Sequence, residues 1–255
     1  IMVKLMKKRT MHTWFALTLV GLGALMIVGV MSASAEDQTD PQEVDLVWTK
    51  SDGIRPEIFY TTREAGSWSE PVMVTDDWYD NMHPVIDRDS TGTRWVFWTA
   101  YDNYRTEIRY TTGSGENWEE NNSLASEMMS NSGPSAVIDK EDAVWVVWSA
   151  SGEDDLDDVY FAVNKDGQWS EPGMIHDAND TPDTLPVIDL NDEGIPTVTW
   201  NQLRGDDYVE LTSIYDGSEW SQPIVSEDQE EPSDDDSLVL PDFVNESGKV
   251  FIRAY

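Results

Sequence analysis

Asp166-Gly167-Gln168-Trp169-Ser170-Glu171-Pro172 is a phrase that this chain repeats. Gly66-Ser67-Trp68-Ser69-Glu70-Pro71 comes before it and Glu219-Trp220-Ser221-Gln222-Pro223 after it. With Trp118, the tryptophans of these phrases are spaced by 50, 51 and 51 residues. A second series closes short apolar runs at Trp48, Trp98, Trp148 and Trp200, spaced by 50, 50 and 52. A third reads Glu57-Ile58-Phe59-Tyr60, Glu107-Ile108-Arg109-Tyr110 and Asp158-Val159-Tyr160-Phe161, with Val209-Glu210-Leu211-Thr212 as its weaker copy. A fourth reads Val85-Ile86-Asp87, Val137-Ile138-Asp139 and Val187-Ile188-Asp189. Four series in step define a repeat of about fifty residues, a length that suits propeller blades.

Each unit divides into four short strands: A at the Val-Ile-Asp element, B ending at its tryptophan, C at the Ile-x-Tyr element, and D opening at Trp-Ser-Glu-Pro. The runs are rich in Val, Ile, Trp and Tyr, with Gly, Asp and Asn between them. After the first 35 residues no segment keeps a helical period. The expected fold is all-β, a propeller of four-stranded antiparallel blades. In the opening phrase glycine makes the C-to-D turn, where positive φ is needed. Tryptophan fills the space between blades. Proline, lacking an N–H, suits the outermost strand. Eleven tryptophans follow residue 35, and all but Trp78 take repeated strand positions, so the repeated ones are read as core.

The series resembles the BNR-repeat propellers of the sialidase superfamily, whose Asp box is Ser-x-Asp-x-Gly-x-x-Trp in the C-to-D turn. Asp166-Gly167-Gln168-Trp169 keeps the acid and the glycine with the tryptophan one residue nearer, and Ser213, Gly217 and Trp220 keep three positions in register. The resemblance implies a radial sheet array over nearly the whole chain after the leader. It also makes a sialidase-like glycoside hydrolase the alternative reading of function. Such an enzyme implies three arginines on the substrate carboxylate, a tyrosine nucleophile paired with glutamate, and an aspartic acid. Here the Arg-Ile-Pro signature is scrambled to Ile54-Arg55-Pro56, and no loop sequence presents a Tyr–Glu pair. No catalytic residue is assigned.

Residues 1–35 differ from the rest. Lys7-Lys8-Arg9, the apolar run Trp14 to Met31 and the small residues Ala33-Ser34-Ala35 have the order of a helical secretory signal, or of a membrane anchor if uncleaved. Residues 36–255 are then an exported propeller domain, secreted or at the cell surface. That part carries 12 Lys plus Arg against 50 Asp plus Glu, a net charge of −38, which opposes binding to nucleic acid or anionic membranes. The same balance suits work in high salt. The absence of cysteine excludes disulfides and thiol chemistry, and His83 and His176, the only histidines of the mature part, argue against a multi-histidine metal site.

Strand B occurs five times, the last as Lys249-Val250-Phe251-Ile252-Arg253, so four to five blades are expected. The ring is read as incomplete, with an open edge for an oligomer; closure through Asp242 to Val244 as a strand A is the alternative. The BC and DA loops emerge on one face of a propeller. They offer Arg55, Arg105 and Arg204 beside the rings of Trp78, Tyr79, Tyr101 and Tyr104, with His83 close by. Flat apolar rings with arginine and aspartate suit a glycan, or a surface protein, as partner. Asp87 to Gly92 and Asp189 to Gly194 start like calcium loops but lack the closing glutamate, and hairpin-turn preference accounts for the same residues. No other cofactor is indicated.

Overall fold

The computed structural model describes residues 43–226 except 126–127, 153–155 and 206, together with the backbone of 2–7, 15–18 and 250–254. The described elements are all strands. The helical signal expected within 1–35 falls outside the described residues apart from two extended segments, Met2–Lys7 and Phe15–Thr18.

The fifty-residue units fold into four antiparallel sheets. The first has B at Glu43–Ser51, C at Pro56–Glu64 and D in two pieces, Ser67–Trp68 and Val72–Met73. The second runs A at Asp80–Arg88, B at Arg94–Tyr101, C at Thr106–Ser114, and D at Asn117–Trp118 with Asn122–Ala125. The third runs A at Ser130–Ile138, B at Val144–Ser151, C at Asp157–Lys165, and D at Gln168–Trp169 with Gly173–Met174. The fourth runs A at Asp183–Leu190, B at Pro196–Arg204, C at Asp207–Ile214 and D at Ile224–Val225. The A strands of successive sheets touch one another, which places them on the inside of the array.

One sequence expectation changes. The run at the C-terminal end does not begin a fifth blade. Val250–Ala254 pairs antiparallel with Glu43–Ser51, Val250 opposite Trp48 and Ala254 opposite Val44, on the side away from strand C. That is the place strand A holds beside strand B in the other three sheets. Met2–Lys7 then pairs parallel with this segment. The segment 242–244, the alternative closing strand, lies outside the described residues.

Each residue of the opening phrase has a physical task. Asp166 and Gly167 form a two-residue turn with both φ values positive, +53° and +79°, the primed geometry that matches strand twist. Ser170 Oγ accepts from Val163 N at 3.1 Å, as Ser69 and Ser221 do from Thr62 and Ile214 at 3.2 and 3.1 Å. Pro71 and Pro172 lie in the gap that splits strand D, where no ladder hydrogen bond is forfeited.

The tryptophans divide by strand. Trp48, Trp98, Trp148 and Trp200 of the B strands are fully buried. The D-strand tryptophans reach across to the preceding sheet. Trp118 packs edge-on against Tyr60 at 5.2 Å between centroids. Trp169 meets Tyr110 at 5.3 Å and Phe97 at 6.0 Å, and Trp220 meets Phe161 at 5.5 Å. Three seams are thus sealed by one repeated position. The first seam carries an ionic bond as well. Arg94 Nε lies 2.8 Å from Asp45 Oδ2, which is wholly buried, and Tyr60 Oη donates to the other oxygen of Asp45 at 2.6 Å.

Candidate functional site

The first two BC loops fold alike. Asp52 Oδ1 accepts from the N–H groups of Ile54 at 2.6 Å and Arg55 at 2.9 Å; Asp102 Oδ1 accepts from Tyr104 at 2.9 Å and Arg105 at 3.0 Å. Gly53 and Asn103 supply the positive φ that each turn needs. Each hairpin presents an apolar tip to water, Ile54 at 84% exposure and Tyr104 at 90%. Bonds from the backbone of Arg55 and then Ile54 hold Asp52 below the usual carboxylate range, and those from Arg105 and Tyr104 do the same for Asp102.

Trp78 stands in the DA loop between the first and second sheets and is 84% exposed. Hydrogen bonds tie the loop on both sides of its strand-facing end. Asp77 Oδ1 accepts from Tyr79 N at 3.1 Å and Asn81 Nδ2 at 3.0 Å, while its Oδ2 accepts from Asn121 Nδ2 at 3.1 Å. The ring of Tyr79 packs under the Arg109 guanidinium at 4.4 Å, and its hydroxyl bonds to Glu107, which is the main reason its pKa is raised. Arg109 is itself oriented by Asn121 O at 3.1 Å and faces Glu107 at 4.0 Å. Arg55 Nη1 donates to the carbonyl of Trp78, and the same guanidinium lies 5.4 Å from the indole. Three elements clamp the loop, and the indole is what they leave projecting.

Below this loop Glu57 is buried, accepting from Thr75 Oγ1 and from Asn81 Nδ2 at 2.9 Å. Burial pushes its pKa up, against the pull of those two donors. Asn81 Oδ1 also takes the indole N–H of Trp98 at 2.7 Å. This arrangement recurs: Asn131 Oδ1 accepts from Trp148 at 3.2 Å and Asp183 Oδ1 from Trp200 at 2.8 Å. The acceptor stands 17 residues before each of these tryptophans, a spacing present in the sequence yet absent from the expected site. In the fourth sheet that acceptor is charged, and the DA loop answers with His176, whose Nε2 lies 3.1 Å from Asp183 Oδ2.

The expected site residues therefore fall into groups. Arg55, Trp78 and Tyr79 come together. Arg105 Nε lies 3.9 Å from Asp102 Oδ2, beside the exposed Tyr104. Tyr101 closes its strand half-buried, opposite Thr106 and Asp80. Arg204 donates to Gln202 Oε1 at 2.8 Å within the fourth sheet. His83 is exposed at a break in the A–B register with φ +54°, where the other A strands have Gly133 and Leu185. Its place follows from the backbone. The Tyr–Glu contact not seen in the sequence exists between Tyr79 and Glu107, which are 28 positions apart.

The two calcium-like stretches fold as hairpin turns. Asp89 Oδ1 accepts from Thr91 N and Thr93 N, both at 3.0 Å, and Asn191 Oδ1 from Glu193 N and Ile195 N, both at 3.0 Å. Asp87 Oδ2 takes Ile138 N of the next sheet at 2.9 Å. Among the described residues no group of three His, Asp or Glu is placed to hold a metal ion.

No known family model matches the chain, and no curated protein does. Solved structures do. A protein of unknown function from Dyadobacter fermentans aligns with TM-score 0.54 at 9% identity, over 72% of this chain and 65% of that one. An ulvan lyase, solved with -[GlcA(1-4)Rha3S]-, aligns with TM-score 0.53 at 12% identity, over 71% and 55%. A thermostable family-43 glycoside hydrolase aligns with TM-score 0.51 at 13% identity, over 75% of each. The chain spans about two thirds and about half the length of the first two. The likeness is one of fold: an all-β, propeller-like array of four-stranded sheets.

Proposed function

We propose that this chain is an exported propeller of BNR type that binds a glycan, without catalysis, on its BC and DA loops. One observation carries the reading. A large indole is held in water by a loop whose Asp77, Tyr79 and Trp78 carbonyl are each tied by hydrogen bonds, although an apolar ring gains stability only by burial. A ring prepared in this way meets a sugar face with little ordering cost. Tyr104, on its rigid hairpin, offers a second ring, and Arg55 and Arg105 offer donors beside them. Lyase and hydrolase neighbours of the same fold support a role connected with glycans, at the cell surface or secreted. On an array of glycans, Trp78→Ala is expected to lose about five- to thirtyfold in binding and Arg105→Ala less, since stacking on one ring, burial included, is worth ~1–2 kcal/mol. Binding unchanged in Trp78→Ala sinks this reading.

The contact of Tyr79 with Glu107 favours a second reading, a sialidase-like hydrolase with Tyr79 as nucleophile. Against it, the hydroxyl donates to the carboxylate in a half-buried setting that raises its pKa and weakens it as a nucleophile. Turnover of a fluorogenic sialoside, lost in Tyr79→Phe and in Glu107→Gln, replaces the binding reading with this one.

A further inference from the structure

On the reading that the BC and DA loops bind glycan, we infer that the ligand is an uncharged, hydroxyl-rich glycan rather than a sialylated, uronate or sulfated one. Each arginine that would receive an anion already faces a protein acceptor, while its remaining N–H groups can still donate to hydroxyls. Arg55 is bonded to the carbonyl of Trp78, Arg105 faces Asp102, Arg204 is bonded to Gln202, and Arg109 is enclosed by Tyr79, Glu107 and Asn121. Lys50, exposed at the foot of the first BC loop, is one more cation. Around these stand Asp52, Asp76, Asp80, Asp102, Asp177 and Asp207, all at least partly exposed on the same loops. The local sign is negative, as is that of the chain at −34. Backbone donors hold Asp52 and Asp102 below the usual carboxylate range, so both are ionised at neutral pH.

Donor and acceptor chemistry points the same way. Ionised carboxylates only accept hydrogen bonds, so the face is rich in acceptors. Sugar hydroxyls donate, whereas a carboxylate or sulfate brings further acceptors and more negative charge. A cationic ligand would satisfy the carboxylates, but the Arg55 guanidinium already lies over the Trp78 ring and would repel a second cation there. An uncharged sugar is repelled by neither.

The test uses the full chain and three probe sets: neutral oligosaccharides, sialylated or uronate oligosaccharides, and an oligolysine peptide. Affinities are measured between about 0.05 and 0.5 M salt, a range over which screening of exposed charge changes strongly. The expected result is binding confined to the neutral set, changing less than about twofold over that salt range, and lost in Trp78→Ala. Tighter binding of the anionic set, or of oligolysine, overturns the inference; anionic hits still lost in Trp78→Ala leave the glycan-binding face standing. No binding by any set overturns both.

Discussion

His176 Nε2 lies 3.1 Å from Asp183 Oδ2 while His176 Nδ1 lies 2.7 Å from the carbonyl oxygen of Asp177. A carbonyl cannot donate, and Asp183, wholly buried, already accepts from Trp200, Gln202 and Asn179. Nδ1 therefore carries a proton, and the nearby Asp183 carboxylate favours a second one on Nε2; the ring lies stacked on Trp200 at 5.3 Å. At the same places the first seam has Thr75 and Asn81, a neutral pair. The two seams solve one packing problem with different chemistry.

Stability should follow the protonation of that pair. The Asp183 hydrogen bond raises the pKa of His176 above 6.5, so its contribution is complete below pH 6.5 and is lost as pH rises through the folded value. Asp183 is lowered below 3.8 because hydrogen bonds from His176, Asn179 and Trp200 outweigh its desolvation. Its contribution is present above pH 3.8 and lost as pH falls through the folded value. Asp158, which faces His176 from the third sheet, acts in the same direction on the histidine. Denaturant midpoints measured from pH 5 to 9 should fall toward the alkaline end. The double variant His176→Thr with Asp183→Asn, which copies the first seam, should flatten that slope.

Arg94 should be costly to remove. It is 7% exposed, and its loss leaves Asp45 charged and buried. Arg94→Ala is expected to destabilise by about 3–5 kcal/mol, most of it the cost of an unpaired buried charge. Asp45→Asn added to Arg94→Ala should restore part of that in urea unfolding.

Leu185→Gly should do no harm. Leu185 is exposed, holds φ +55°, and stands where the third sheet has Gly133. Relief of the left-handed backbone is expected to make the variant equal to or more stable than the parent by up to about 1 kcal/mol. The reverse change, Gly133→Leu, should lower the midpoint of thermal unfolding.

Much of the architecture could be read from the chain because the repeat writes each packing role four times. Tryptophan marks B and D, and glycine, serine and proline mark the D strand's turn, hydrogen bond and break. Three things were not legible. The strand Val250–Ala254 pairs with the first sheet across some two hundred residues, and nothing local in it distinguishes an A from a B strand. Arg109 takes a place held elsewhere by Phe59, Tyr160 and Leu211, so nothing in the repeat marked it as part of a site. The Asn or Asp that accepts the indole of Trp98, Trp148 or Trp200 was visible as a constant offset, but burial is what gives that offset meaning. Of the expected site, the cluster of Arg55 and Trp78 was legible as loop composition; the clamp of Asp77, Asn121 and Arg109 behind it was not.

The most direct measurement compares Trp169→Ala with Trp78→Ala in one experiment that reads both urea unfolding and glycan binding. Trp169 seals a seam and Trp78 stands in water, so the account predicts a crossed result. Trp169→Ala should lose about 3–5 kcal/mol of stability, and where still folded should bind as the parent does. Trp78→Ala should unfold within about 0.5 kcal/mol of the parent and lose the ligand. A Trp169→Ala protein as stable as the parent, or a Trp78→Ala protein that still binds, contradicts the division between repeated indoles that hold the sheets and the single unrepeated one that meets the ligand.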